Sequence, residues 1–98
     1  MSPQPKPPRL LFLMNEALFF TTHRLPVAMA AQAAGFEVHV AAPFDEAPVA
    51  VIRGCGFDFY DLPLKRGGRS LWGEIHLLAR CFNLIRTIKP DLVHHVAM

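Results

Sequence analysis

Apolar and polar positions alternate along this chain in blocks of two periods. Arg9–Met14 is a short, nearly continuous apolar run, the pattern of a strand buried on both faces. Thr21 or Thr22 then offers the N-cap of a helix running to about Ala34, with Pro26 tolerated near its start and Gly35 as its stop. Residues 36–42 alternate and predict a second strand. Asp45 caps a short helix through Ile52, ended by Gly54 or Gly56. Residues 57–62 alternate again as a third strand. After a polar loop, Ser70 caps the longest helix, over residues 71–88. Its positions 71, 75, 78, 82 and 85 form one apolar stripe, and 77, 81, 84 and 88 form an adjacent one. So wide an arc predicts packing against a sheet and against something else. Pro90 closes that helix, and residues 91–96 read as a fourth strand.

The resulting order, βαβαβαβ, predicts an α/β fold: a Rossmann-like parallel sheet with helices on both faces. Residues 1–8 hold four prolines and are expected to be a disordered tail. Residues 9–98 are then one partial domain, because no helix covers the fourth strand and uncovered apolar edges are a liability. The expectation is a fragment, cut after its fourth strand.

Composition narrows the class. Ninety-eight residues allow one domain, and 52% hydrophobic against 18% charged residues is too apolar for disorder. A net charge of +2 gives no reason to expect a nucleic-acid partner. Lys6 and Arg9 before an apolar run imitate a secretory signal. Asn15-Glu16 and His23-Arg24 interrupt it too early. No apolar stretch approaches the roughly 18 residues of a membrane span. Cys55 and Cys81 cannot build a disulfide framework, so the expected compartment is the cytoplasm. Charge is nevertheless uneven: Lys65, Arg66, Arg69, Arg80, Arg86 and Lys89 face only Glu74 in the segment from Pro63 to Pro90.

Open parallel sheets bind ligands beyond the carboxyl ends of their strands, where the strand order reverses. With an order of 3-2-1-4, that reversal lies between strands one and four. Asn15, Glu16, His94 and His95 leave those strands and are expected to share a crevice. His23 and Arg24 begin the first helix, whose free N–H groups favour anions. Gly54-Cys55-Gly56 is not a dinucleotide fingerprint, since it precedes a strand and lacks a third glycine. The turn over residues 15–22 has no glycine, which disfavours a nicotinamide enzyme. His94 and His95 are neighbours on a strand and point to opposite faces, one of them expected to be buried. Neither a metal nor a cofactor is assigned. A non-catalytic flavodoxin-like or receiver-like binding module is the competing reading, although its acidic cluster is poorly matched by Asn15, Glu16 and Asp61.

Two segments carry a resemblance. Asn15, Phe19-Phe20-Thr21-Thr22-His23-Arg24-Leu25-Pro26, Gly35-Phe36-Glu37-Val38-His39-Val40 and Pro43 resemble the opening of family 4 glycosyltransferases. Gly56, Leu62, Arg66, the long helix and Lys89-Pro90-Asp91-Leu92-Val93-His94-His95 continue the likeness to the end of the chain. The family implies a GT-B fold in which one Rossmann-like domain binds the acceptor and a second holds the nucleotide-sugar. This chain would supply the first half of the acceptor domain and be inactive alone. The implied acceptor is lipid-linked or a polysaccharide. The implied substrate-binding residues are Asn15, Glu16, His23, Arg24, Arg66, His94 and His95, with no catalytic base assigned. Lys65, Arg66, Arg69 and Trp72 would meet the acceptor phosphate or anionic headgroups, giving peripheral contact with the inner membrane. One departure is plain: many members have a glycine-rich turn after the first strand, and this chain has Asn15-Glu16-Ala17-Leu18.

Overall fold

The computed structural model of the chain describes residues 7–62 and 71–96, with no side-chain description for 71–74 and 96. The polar loop that holds Lys65, Arg66, Arg69 and Ser70 therefore lies outside the described residues, as does most of the proline-rich start.

Four strands, β1 (Arg9–Met14), β2 (Glu37–Ala42), β3 (Asp58–Asp61) and β4 (Leu92–Val96), form one sheet in the order β3-β2-β1-β4. All three pairings are parallel. The helices are α1 (Ala17–Phe19), α2 (Leu25–Ala33), α3 (Glu46–Gly54) and α4 (Leu71–Ile88), with a π-helical turn at Phe20–Arg24 joining α1 to α2. Strand-to-strand crossovers thus pass through helices, as the alternation predicts. The Pro8 carbonyl already accepts the Glu37 N–H at 2.8 Å, so ladder-like pairing starts one residue before β1.

The continuous apolar run of β1 is explained by two cores. Leu10, Phe12 and Met14 face one side and pack with Val38, Val40, Ala42, Phe20, Ala28 and Ile52. Leu11 faces the other and packs with Ala41, Leu62, Leu84 and Ile88. Of the two apolar stripes of α4, 77/81/84/88 is the one that packs on the sheet. The neighbouring stripe, Ile75, Leu78, Phe82 and Ile85, is exposed, with Leu78 at 69% and Phe82 at 63%. Arg9 ties the base of the sheet to α4: its guanidinium donates to the Ile88 carbonyl at 2.6 Å, and its N–H donates to the Asp91 carboxylate at 2.8 Å.

Helix ends follow glycine chemistry in two places. Gly35 after α2 and Gly56 after α3 have φ of +102° and +86°, a region that side chains with a Cβ enter at a cost. After α4 that position is taken by Lys89, at φ +52°. Lys89→Gly is therefore expected to stabilise the chain by about 0.5–1 kcal/mol, read as a rise of several degrees in thermal midpoint. An unchanged or lower midpoint would mean that the lysine is not strained.

The first helix departs from its expected start. It begins at Ala17, so neither Thr21 nor Thr22 is an N-cap. Both hydroxyls instead donate to the Leu18 carbonyl at 2.9 Å. Pro26 supplies the reason. It has no N–H, and its ring crowds the carbonyl four residues back. The wider π turn relieves that crowding, and the threonine hydroxyls serve a carbonyl in the loosened turn.

Candidate functional site

The β1–β4 ladder ends at Met14↔Val96. Asn15 bends away at that point, and Glu16, in extended conformation, precedes α1 and accepts the Phe20 N–H on its carbonyl at 3.4 Å. Both residues are half-buried. The strand-order reversal therefore stands where topology put it, with Asn15 and Glu16 at its rim.

His94 and His95 do not leave β4. They lie within it, paired with Phe12 and Leu13, two residues and one residue below the end of the ladder. Their faces differ, as the strand period requires. His94 shares the Phe12 face, its ring 5.2 Å from that ring, while His95 shares the face of Leu13 and α4. Neither is buried, contrary to the expectation for one of them: both are exposed because β4 is an edge strand.

His23 and Arg24 also need correction. They sit six and seven residues beyond the start of the helical run at Ala17, so the free N–H groups of a helix start are not theirs. They close the π turn instead. The His23 ring stacks on Phe19 at 4.3 Å and 17°, and the Arg24 guanidinium carbon lies 5.9 Å from the same ring centre. His23 Nδ1 is 2.8 Å from Thr22 Oγ1. Arg24 Nε is buried and has no hydrogen-bond partner among the described residues. Arg66 lies outside the described residues.

The fold also builds a second polar cluster, which the sequence pattern does not announce. His39, 4% exposed, places Nε2 2.8 Å from Glu37 Oε1 and Nδ1 3.0 Å from the Tyr60 hydroxyl, with Asp58 Oδ2 at 3.5 Å. Burial first, then the charges of Asp58 and Glu37, push the Tyr60 phenol above its ordinary value. Ligand atoms of Glu37, His39 and Asp58 lie within 4.8 Å of one another, close enough to converge on a cation. Both ring nitrogens are already engaged, and Arg9 approaches Glu37 at 3.8 Å. Hydrogen bonding accounts for the group. It also lies toward the amino ends of β2 and β3, away from the strand-order crevice. Sequence alternation puts Glu37 and His39 on one face, but Asp58 and Tyr60 join them only through the β2–β3 register.

Comparison with known proteins follows the same outline. Among solved structures, the threonine deaminase of T.th. is similar, with 23% identity and a TM-score of 0.56 over 93% of this chain and 25% of that one. This chain thus spans a quarter of that protein's length, and the likeness is one of fold. No curated protein matches. The family described as "Glycosyl transferase 4-like" matches residues 9–98, from the first residue of β1 through all four strands. Four parallel strands in the order β3-β2-β1-β4 agree with that match. The chain belongs to the glycosyl transferase 4-like family.

Proposed function

We propose that these residues form part of the acceptor side of a glycosyltransferase, the nucleotide-sugar being held by a second Rossmann-like domain. The family match over residues 9–98 carries the reading. The acceptor is a glycan or a lipid-linked sugar, held at the rim beyond the ends of β1 and β4 by Asn15 and Glu16. His23, Arg24 and Arg66 add basic groups for its phosphate. Sugar transfer needs the acceptor hydroxyl aligned with the donor carbon, and it needs the leaving diphosphate stabilised as charge develops. The acceptor side supplies the first of these, and the donor domain supplies the second.

The protein acts in the cytoplasm, at the inner face of the membrane. No helix among the described residues is long and apolar enough to cross a membrane, and Lys65, Arg66, Arg69 and Trp72 provide peripheral contact. Each such basic group near an anionic surface contributes about 1 kcal/mol.

Calorimetry on the 98-residue chain tests this division of labour. The expected result is no detectable heat with a nucleotide-sugar, and no transfer by the chain alone. Tight nucleotide-sugar binding would overturn the assignment of the donor to another domain.

A further inference from the structure

Helix α4 carries a second apolar flank that the sheet does not cover. Ile75, Leu78, Phe82 and Ile85 are all exposed, and Leu71 extends the row in the sequence. The steps along the row are four, three, four and three residues. That is the period of 3.5 at which one helix offers a seam to another, with Ile75 and Phe82 at a positions and Leu71, Leu78 and Ile85 at d positions. At 3.6 residues per turn, the seam lies about 110° around α4 from the stripe that packs on the sheet.

The opposite flank of the helix gives the direction in which the seam points. That flank holds His76, Arg80, Asn83 and Thr87, and Arg80 Nε donates to the Asp61 carbonyl at the end of β3 at 3.4 Å. The polar flank therefore faces β3, and the seam faces β4. Beneath α4 the packed side chains are Leu11, Leu13, Ala41, Tyr60 and Leu62, which belong to β1, β2 and the end of β3. On the same face of the sheet, Val93 of β4 pairs with Leu11 and is exposed. The seam and Val93 thus form the riser and tread of a step, open on the side of β4.

We propose that a second copy of this chain fills the step, the two α4 helices packing side by side and parallel. Such a seam is complementary to itself: in a parallel pair, each a or d residue meets the same residue of the other copy. Because each seam is turned about 110° from its own sheet, the two sheets lie on opposite sides of the helix pair and do not collide. Each helix then covers the open face of β4 in the other copy, and the two-fold arrangement is closed. The seam and Val93 make an apolar patch of roughly 300–500 Å² on each copy, a size that marks interaction surfaces on monomers. Two such patches bury roughly 600–1,000 Å², the low end for specific association, which predicts a weak dimer with a Kd of about 10–100 µM. Dilute chain is then monomeric. The inference goes beyond the acceptor-side reading and does not depend on it.

Sedimentation equilibrium of the 98-residue chain between about 1 µM and 1 mM tests it. The mean mass should rise from 11.0 kDa toward twice that value. Leu78→Glu and Leu78→Lys each set two like charges opposite one another across the seam, and each should raise the Kd about a hundredfold. Mixed in equal amounts, the two variants should dimerise again, because position 78 faces position 78 in a parallel pair. Leu78 is exposed in the single copy, so both variants should keep the circular dichroism and the dilute thermal midpoint of the parent. A parent that stays monomeric at the highest concentration overturns the inference. Variants that dimerise as the parent does also overturn it, and move the interface to the free edge of β4. A mixture that stays monomeric overturns it as well, since the helices are then not in parallel register. In each of these cases the acceptor-side reading stands.

Discussion

Phe12→Ala is expected to cost about 3–5 kcal/mol, in line with other deletions of a buried aromatic side chain. Phe12 sits at the middle of β1, one of the two inner strands of the sheet, and it is fully buried. Its ring meets Phe20 edge-on at 5.1 Å and tilts against His94 at 5.2 Å. Truncation empties the space on which the π turn rests and leaves Phe20 facing a void. Domains of this size are stable by only about 5–15 kcal/mol, so one substitution removes a large share of the margin. Phe82→Ala is the control: its ring is mostly exposed on α4, and its loss should stay within about 0.5 kcal/mol. Urea unfolding of both variants measures the contrast. Equal losses would refute the placement of β1 at the centre of the two cores.

Most of this architecture can be read before any coordinates are seen, for reasons that differ by element. Arg9–Met14 is legible because a strand buried on both faces leaves no polar position to confuse its period. Helix α4 is legible in its limits because a polar, glycine-containing stretch of sequence precedes it and Pro90 follows it. Its exposed stripe is less so, since apolar spacing announces a face that can be covered, and of the two stripes it is 77/81/84/88 that packs on the sheet. The start of the first helix resists reading for a chemical reason. Threonine is a good N-cap in isolation, but here its hydroxyl is used inside the turn, and only the strain imposed by Pro26 reveals that. His94 and His95 show another limit. The sequence ends this strand at residue 96, where the ladder does end, so both histidines lie along the two faces of the sheet and not at its crown. The His39 cluster lies beyond reach altogether, because nothing short of the β2–β3 register brings Asp58 and Tyr60 to it.

That cluster carries the second large expected effect. His39→Leu should cost about 1–3 kcal/mol, because it strands the groups that the imidazole now serves. In the neutral ring, Nε2–H donates to Glu37, and the Tyr60 hydroxyl donates to Nδ1. The two bonds join neighbours on β2 and reach across to β3, an edge strand of four residues. The half-exposed Arg9–Glu37 contact at 3.8 Å adds little by comparison. Tyr60 also gives the cluster a pH signature with a definite sign. Its pKa is raised above the ordinary 10.0 by burial and then by Asp58 and Glu37. The folded state therefore holds the phenol proton more firmly than the unfolded chain does. The associated stability is fully present below the unfolded value of about 10 and is lost as pH rises through the folded value. The urea midpoint should fall as pH rises past about 10 in the parent chain, and Tyr60→Phe should remove this part of the fall while losing some stability at neutral pH. If the alkaline slopes of parent and variant coincide, the phenol proton is not linked to folding, and the Tyr60–His39 bond cannot be what holds β3 to the sheet.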